Sequence, residues 1–329
     1  MSGGERWNVG RLLEWTTKFL KEHGSESGRL DAELLLAQAL GCKRIDLYTR
    51  YDEEPPEPVR ATFRDLVRRR EIEAELRSAV QRDELSIFFQ PIVDLATGRV
   101  KSFEALVRWF HPVKGELRPD EFIPVAEETG AIITLGNWIT AQAAKAAATW
   151  PEDVTVAVNL SPLQIKAPGA ALGILNALRE ARLDPSRLEL EITETVLLDH
   201  SQQTEDFIAE LSAAGVRFAL DDFGTGYSSL GYLNKYAFGK IKVDRSFVSG
   251  PNVGRKSDAI IRAVSGMAST LDMAIVAEGL ETMEQVEAVR AAGCTLGQGY
   301  YFSRPVPDYL ATMLISQGRD KFEPRRAAG

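Results

Sequence analysis

The sequence predicts an α/β protein: a modified (β/α)8 barrel with an antiparallel first strand, preceded by a small all-α domain. Three observations carry this. From residue 86 onward eight short β-rich runs appear, SIFFQPIVDL, KSFEALVRW, VTVAVNLS, LELEITE, RFALDDF, KIKVDRSF, AIVAEGLE and GQGYYF. Most are separated by helical stretches such as PDEFIPVAEETG, QTEDFIAELSAAG, SDAIIRAVSGMASTLD and ETMEQVEAVRAAG, the alternation that closes into a barrel. Only ATGR lies between Leu95 and Val100, too short for a parallel crossover and suited to a hairpin, so the first strand should run against the second. Residues 1 to about 82 show helical spacing alone.

Taken in order, Val9, Leu12, Leu13, Thr16 and Leu20 mark a first helix that Gly24 would stop. A second should start near Asp31 as its cap, run through AELLLAQAL and end at Gly41. After the turn-rich YDEEPPEP a third begins near Pro58, and no Gly or Pro interrupts residues 59–82. One helix of about 35 Å could therefore join the two domains.

Composition excludes several function classes. The chain has 329 residues, 44% of them hydrophobic, enough for one large and one small domain. A net charge of -8 opposes DNA and anionic membranes. The N-terminus carries no signal-peptide pattern, and the most apolar stretch, AIITLGNWITAQAAKAAATW, is broken by Asn137, Gln142 and Lys145, so it reads as an amphipathic helix and not a membrane span. Two distant cysteines, Cys42 and Cys294, read as reduced core thiols, which suits a cytoplasmic location.

Barrels of this kind place their reactive groups at the C-terminal ends of the strands. Read that way, the strand ends supply Glu104, Asn159, Glu191, Asp221 with Asp222, Lys242, Glu278 and Gln298. One polar residue at a strand end is usually a solvated edge or a helix cap; seven matching strand ends are not. Glu104, Asn159, Glu191, Asp221 and Asp222 offer oxygen alone, and His23, His111 and His200 fall outside the pattern. Such donors suit hard divalent cations, Mg²⁺ or Mn²⁺, and converging carboxylates would repel unless about two ions neutralised them, which points to two-metal phosphodiester chemistry. Lys242 either activates or orients a water, its ammonium pKa lowered beside the ions, or is salt-bridged to a neighbouring carboxylate. In FALDDFGTGYSSL, Asp221 and Asp222 can face one site only if the backbone turns, and Gly224 and Gly226 permit that. GTGYSS lacks the third glycine of a nucleotide-binding loop.

QPIVDL, EALVRW, NLS, EITE, DDFGTGYSSL, KVDRSF, AEGLE and GQGYYFSRP together resemble EAL-domain cyclic-di-GMP phosphodiesterases, over about residues 73–318. The family's fold is a modified TIM barrel with an antiparallel first strand. The resemblance implies that Glu104, Asn159, Glu191, Asp221 and Asp222 coordinate two Mg²⁺ or Mn²⁺ ions. Glu278 would join them directly or through water, and Lys242 would activate the water. It further implies that Gln90, Arg108 and Gln298 contact the dinucleotide and that Glu194 holds the loop after Asp222, a loop the family also uses for homodimers. The reaction would be hydrolysis of cyclic di-GMP to linear pGpG. The alternative is a receptor that binds cyclic di-GMP without efficient cleavage and signals through the helical domain; the intact Glu104, Asp221, Asp222, Lys242 and Glu194 favour the enzyme.

RLDAELLLAQALGCKRIDLYTRYDEEPPEP looks like the helical N-terminal domain of release-factor glutamine methyltransferases, over roughly residues 8–70, without the catalytic half. The expected domains are therefore residues 1–72 helical, 73–318 the barrel and 319–329 a tail. The helical part would pack or dimerise, or dock a protein partner.

Overall fold

The computed structural model describes residues 7–25, 27–198, 201–224, 235–248 and 255–321. It holds two compact units, one made of Met1–Leu85 with Trp109–Ala131 and the other of Ser86–Arg108 with Ile132–Gly329.

In the first unit four helices come first: α1 (Val9–Glu22), α2 (Gly28–Leu40), α3 (Asp46–Thr49) and α4 (Glu57–Ala79). Val9, Leu12, Leu13 and Leu20 of α1, Ala32, Leu36 and Ala37 of α2, Leu47 of α3, and Phe63 and Val67 of α4 form its core. Asn8 caps α1 by accepting the Arg11 N–H at 2.9 Å, and Gly24, at φ +89°, ends it. Asp31 does not cap α2. The helix starts three residues earlier because Gly28 lets it press against α1: a β-carbon there would lie 2.9 Å from the Thr17 carbonyl. The Asp31 carboxylate instead accepts from Ser25 Oγ at 2.6 Å and pairs with Arg70 at 3.2 Å. Gly41 closes the helix at φ +63°, as expected. The single turn of α3 is too short to leave a periodic signal.

The chain continues into β1 (Leu85–Asp94), β2 (Val100–His111), β3 (Gly115–Leu117) and α5 (Pro119–Thr129). The outer end of β2 pairs with β3, and Trp109 sits edge-on to Phe122 of α5 while its indole N–H donates to Glu84.

The second unit adds α6 (Ile132–Ala147), β4 (Thr155–Asn159), α7 (Pro162–Ile165), α8 (Ala170–Ala181), β5 (Leu188–Thr193), α9 (Glu194–Leu197), α10 (Gln202–Ala213), β6 (Arg217–Phe223) and β7 (Phe238–Val243). It finishes with α11 (Arg255–Thr270), β8 (Ala274–Ala277), α12 (Met283–Ala291), β9 (Leu296–Gln298), β10 (Val306–Pro307) and α13 (Asp308–Lys321). Strand order is β1-β9-β8-β7-β6-β5-β4-β2, and β1 also pairs with β2, so eight strands close a barrel. The pairs from β2 and β4 round to β8 and β9 are parallel, whereas β1 lies antiparallel to β9. The reversal has the local cause read from the sequence: Asp94 accepts the N–H groups of Ala96 and Thr97 at 3.0 and 2.8 Å, and Gly98 takes φ +67°. Of GQGYYF only Gly297 and Gln298 are strand, in β9, because the chain turns at Gly299.

Parallel strands packed on both faces are normally apolar throughout. Here β5 is buried almost along its whole length, yet Glu189 and Glu191 point into it, and β7 answers with Lys240 and Lys242. Among the described residues no helix is long and apolar enough to cross a membrane.

Candidate active site

Lys242 organises the site. Its side chain is 1% exposed, and Nζ lies 2.7 Å from Glu191, 2.8 Å from Glu278, and 3.4 Å from each of Glu104 and Asp221. Four strands or strand ends therefore deliver carboxylates to one ammonium: β2, β5, β6 and the residue after β8.

The Asp221–Asp222 pair is held by a bulge. Leu220 pairs with Ile241 and Phe223 with Val243, so two aspartates on β6 oppose the single Lys242 on β7. Asp222 itself adopts φ +54°, and Gly224 follows at +93°. The turn expected at the glycines thus begins two residues earlier, on an aspartate, a residue type that tolerates this conformation better than most. Gly226 lies outside the described residues. Oxygens of Asp221, Asp222 and Glu278 approach within 4.8 Å of one another.

Hydrogen bonds orient the rest. Glu104 Oε1 accepts from Asn159 at 2.6 Å and Oε2 from Gln298 at 2.6 Å. Gln298 also donates to Gln90, which donates to the Ser303 carbonyl. Glu194, buried at the start of α9, accepts the Gly224 N–H at 3.1 Å and so grips the backbone two residues beyond Asp222. The rest of that loop, 225–234, lies outside the described residues.

Charge is out of balance here. Burial raises the Glu104 pKa, but the Lys242 charge and the Gln298 and Asn159 hydrogen bonds outweigh it and leave the group below its usual value. Glu191 goes the other way: burial, then the neighbouring Glu104 and Asp221 charges, push it well above the usual range. Burial, with Asp221 and Glu104, lifts Glu278 to about 7, and burial followed by Asp221 raises Asp222. Burial would lower Lys242, yet the carboxylates around it hold it well above its ordinary value. The expected fall in its pKa needs further positive charge on those carboxylates. Glu191 Oε1, fully buried, has no hydrogen-bond partner among the described residues. An orphaned carboxylate oxygen in an oxygen-only donor set with surplus negative charge fits a hard divalent cation.

A cavity of about 660 Å³ opens over this floor, within the usual range for small-ligand sites. Gln90, Glu104, Asp221, Lys242, Glu278 and Gln298 line it, together with Asp244, Arg245, Gly279, Gly299 and Tyr300, which the strand-end reading did not select. Asp244 shares the face of Lys240 and Lys242, so its signal was present in the alternation. The glycines are needed for close approach: a β-carbon on Gly279 would lie 2.5 Å from the Arg245 β-carbon, and one on Gly299 2.1 Å from the Leu280 carbonyl. Arg108 does not line the cavity; its guanidinium lies 5.8 Å over the Phe88 ring and donates to the Val107 carbonyl. A larger cavity, about 1040 Å³, lies in the helical unit between α1 and α4, but Arg60, Arg64, Arg68 and Lys114 in its wall are each paired with a glutamate. Volume alone does not locate the chemistry.

Comparison with known proteins identifies the domains. Residues 73–305 match the EAL domain model, and residues 11–74 match the PrmC N-terminal domain model. The chain is 45% identical over 251 residues to the uncharacterized protein y4lL of Sinorhizobium fredii, covering 76% of this chain and 30% of that protein. It is 40% identical over 241 residues to the cyclic di-GMP phosphodiesterase NbdA of Pseudomonas aeruginosa, covering 72% of this chain and 31% of that one. The chain therefore spans about a third of the length of these relatives. Among solved structures it resembles the PaMucR phosphodiesterase in complex with c-di-GMP, with a TM-score of 0.70 and 37% identity over 73% of this chain and 99% of that one. The eight-stranded barrel with its reversed first strand and the match over residues 73–305 lead to one conclusion: the chain belongs to the EAL-domain family.

Proposed function

We propose that the barrel hydrolyses cyclic di-GMP to linear pGpG with two Mg²⁺ or Mn²⁺ ions held by Glu104, Asn159, Glu191, Asp221, Asp222 and Glu278. The observation that carries this reading is the surplus of buried carboxylates around Lys242, with an orphaned Glu191 oxygen among them. Its substrate is inferred from relatives whose names or bound ligand give c-di-GMP. When bound, such ions would neutralise the carboxylates, acidify a water and stabilise the attacking and leaving oxygens.

The chain's own groups supply the remainder. With the carboxylates neutralised in this way, Lys242 as the neutral amine would orient the attacking water and accept its proton as the new oxygen–phosphorus bond forms; the bond to one ribose oxygen breaks, and that oxygen would leave as a hydroxyl with the proton returned from the Lys242 ammonium. Gln298 and Gln90, linked to each other and to Glu104, position the dinucleotide at the cavity wall, and Arg108 would contact it from β2 only after its guanidinium swings off the Phe88 ring. Glu194 keeps the Asp222–Gly224 turn in its active shape.

The reading extends to a helical domain over residues 1–72, the catalytic barrel over 73–318 and a tail over 319–329, in a cytoplasmic protein that forms homodimers through the barrel. The helical domain would dock a protein partner.

A chromatographic time course with cyclic di-GMP and Mg²⁺, then Mn²⁺, tests it, with EDTA as control. Metal-dependent appearance of pGpG supports the enzyme. Tight binding without product would replace it with a receptor.

A further inference from the structure

The helical unit contains a second group of cation-seeking side chains, and the protonation of both histidines in it follows from what faces them. Nδ1 of His23 lies 2.8 Å from the Phe19 carbonyl, which can only accept, so Nδ1 carries the hydrogen. In a neutral ring Nε2 is then a bare lone pair, and it faces Glu71 Oε1 at 3.3 Å. Two acceptors at that distance repel unless a positive species stands by them: a second proton on the ring, a neighbouring ammonium or a metal ion.

His111 is set the opposite way. Its Nδ1 accepts the backbone N–H groups of Val113 and Lys114, both at 3.1 Å, so Nε2 carries the hydrogen and donates to Glu75 Oε1 at 3.2 Å. It orients Glu75 and has no lone pair to offer a metal. Glu71 and Glu75 stand one turn apart on α4, with side chains only 7% and 13% exposed. Lys114 Nζ, from the turn between β2 and β3, lies 2.9 Å from Glu71 Oε1 and 2.6 Å from Glu75 Oε2.

We propose that His23 Nε2, Glu71 and Glu75 form a seat for a divalent transition metal of the zinc class, for which the Lys114 ammonium competes. One ligand atom from each of the three lies within 4.8 Å of the others. The imidazole has the orientation of a metal ligand, its second nitrogen donating to a backbone carbonyl and the next shell completed by His111 on Glu75. The nitrogen donor separates this seat from the oxygen-only barrel site and selects zinc-class ions over Mg²⁺. Two carboxylates balance one divalent ion, so its arrival expels Lys114. That side chain is 26% exposed on a turn beside Gly115 and has a path to solvent.

The test is calorimetric titration of the full chain with Zn²⁺ in excess Mg²⁺, repeated with Co²⁺ to follow its visible absorption. One equivalent should bind. His23→Ala should weaken it by more than about a hundredfold, beyond the roughly 10–100-fold that losing an outer-shell partner costs. Glu75→Gln, nearly isosteric, should weaken it in the same direction, and Lys114→Met should tighten it about tenfold by removing a competing unit charge. Far-UV circular dichroism checks the fold of each variant, and the gain of affinity in Lys114→Met cannot arise from unfolding. Absence of this equivalent, or its survival unchanged in His23→Ala and Glu75→Gln, overturns the proposal. The readout is metal stoichiometry, so it stands or falls separately from hydrolysis of cyclic di-GMP.

Discussion

Two lysines in this chain sit among glutamates, and they differ in balance. Lys242 meets four carboxylates at the floor of a cavity, with its own side chain 1% exposed. Lys240, two residues earlier on the same strand, pairs among the described residues with Glu189 alone, at 2.7 Å. Both are inward-facing pairs between β7 and β5, so strand, burial and residue types are nearly matched. A one-to-one buried pair is self-contained and fastens two strands. A one-to-four cluster leaves negative charge that only protons or further cations can meet, and the raised pKa values of Glu191, Asp222 and Glu278 express that. Charge imbalance under burial, more than acidity or cavity size, marks the candidate site of the barrel.

The comparison can be broken in four ways, from the largest expected effect to the smallest. Glu104→Ala should lower metal-dependent hydrolysis by about a thousandfold, the several kcal/mol of charge stabilisation that a metal site supplies, while circular dichroism stays native. Wild-type turnover would remove Glu104 from the metal site. Lys242→Ala should slow turnover by about a hundredfold yet keep cyclic di-GMP binding in equilibrium dialysis, as loss of a proton acceptor does. Equal turnover would make Lys242 as structural as Lys240.

The third concerns pH. Glu278 titrates near 7 in the folded chain, against 4.5 for an ordinary glutamate. A carboxyl with a raised folded pKa binds its proton more tightly in the native state, so its contribution to stability is complete below about pH 4.5 and is lost as pH rises through 7. In EDTA, Tm should fall between these values by the equivalent of at most roughly 3 kcal/mol. Glu278→Gln should flatten that slope, as should Mg²⁺. A slope unchanged by the substitution would assign it elsewhere. The fourth is the control: Lys240→Met should leave kcat within about threefold, although stranding the buried Glu189 costs about 3 kcal/mol in urea unfolding. A large loss of kcat would show that the lower pair also serves the reaction.

Much of this was legible because the relevant signals are local. Alternation in LELEITE puts Glu189 and Glu191 on one face, as it does Lys240 and Lys242 in KIKVD, and ATGR reverses the first strand by its length. Gly24 and Gly41 end their helices where expected. The misses are short elements or competing partners. α3, β3 and β10 are two to four residues long and carry no period. Asp31 has the chemistry of a cap, but Arg70 and Ser25 claim its carboxylate. His23 falls outside the strand-end pattern with the other histidines, and its meeting with Glu71 of α4 is made only in the fold.

By itself, then, the sequence determined the order and type of the barrel strands, the reversal of the first, and which residues stand at the strand ends, since periodicity, turn length and residue chemistry are properties of short segments. Only the tertiary structure decided which carboxylates share Lys242, that the bend falls on Asp222, that a Glu191 oxygen is stranded, and that His23 confronts Glu71. Those depend on desolvation and on distances of 2.7 to 3.4 Å between segments far apart in the chain, where a change of one ångström decides whether charges attract, share a proton or call for a metal.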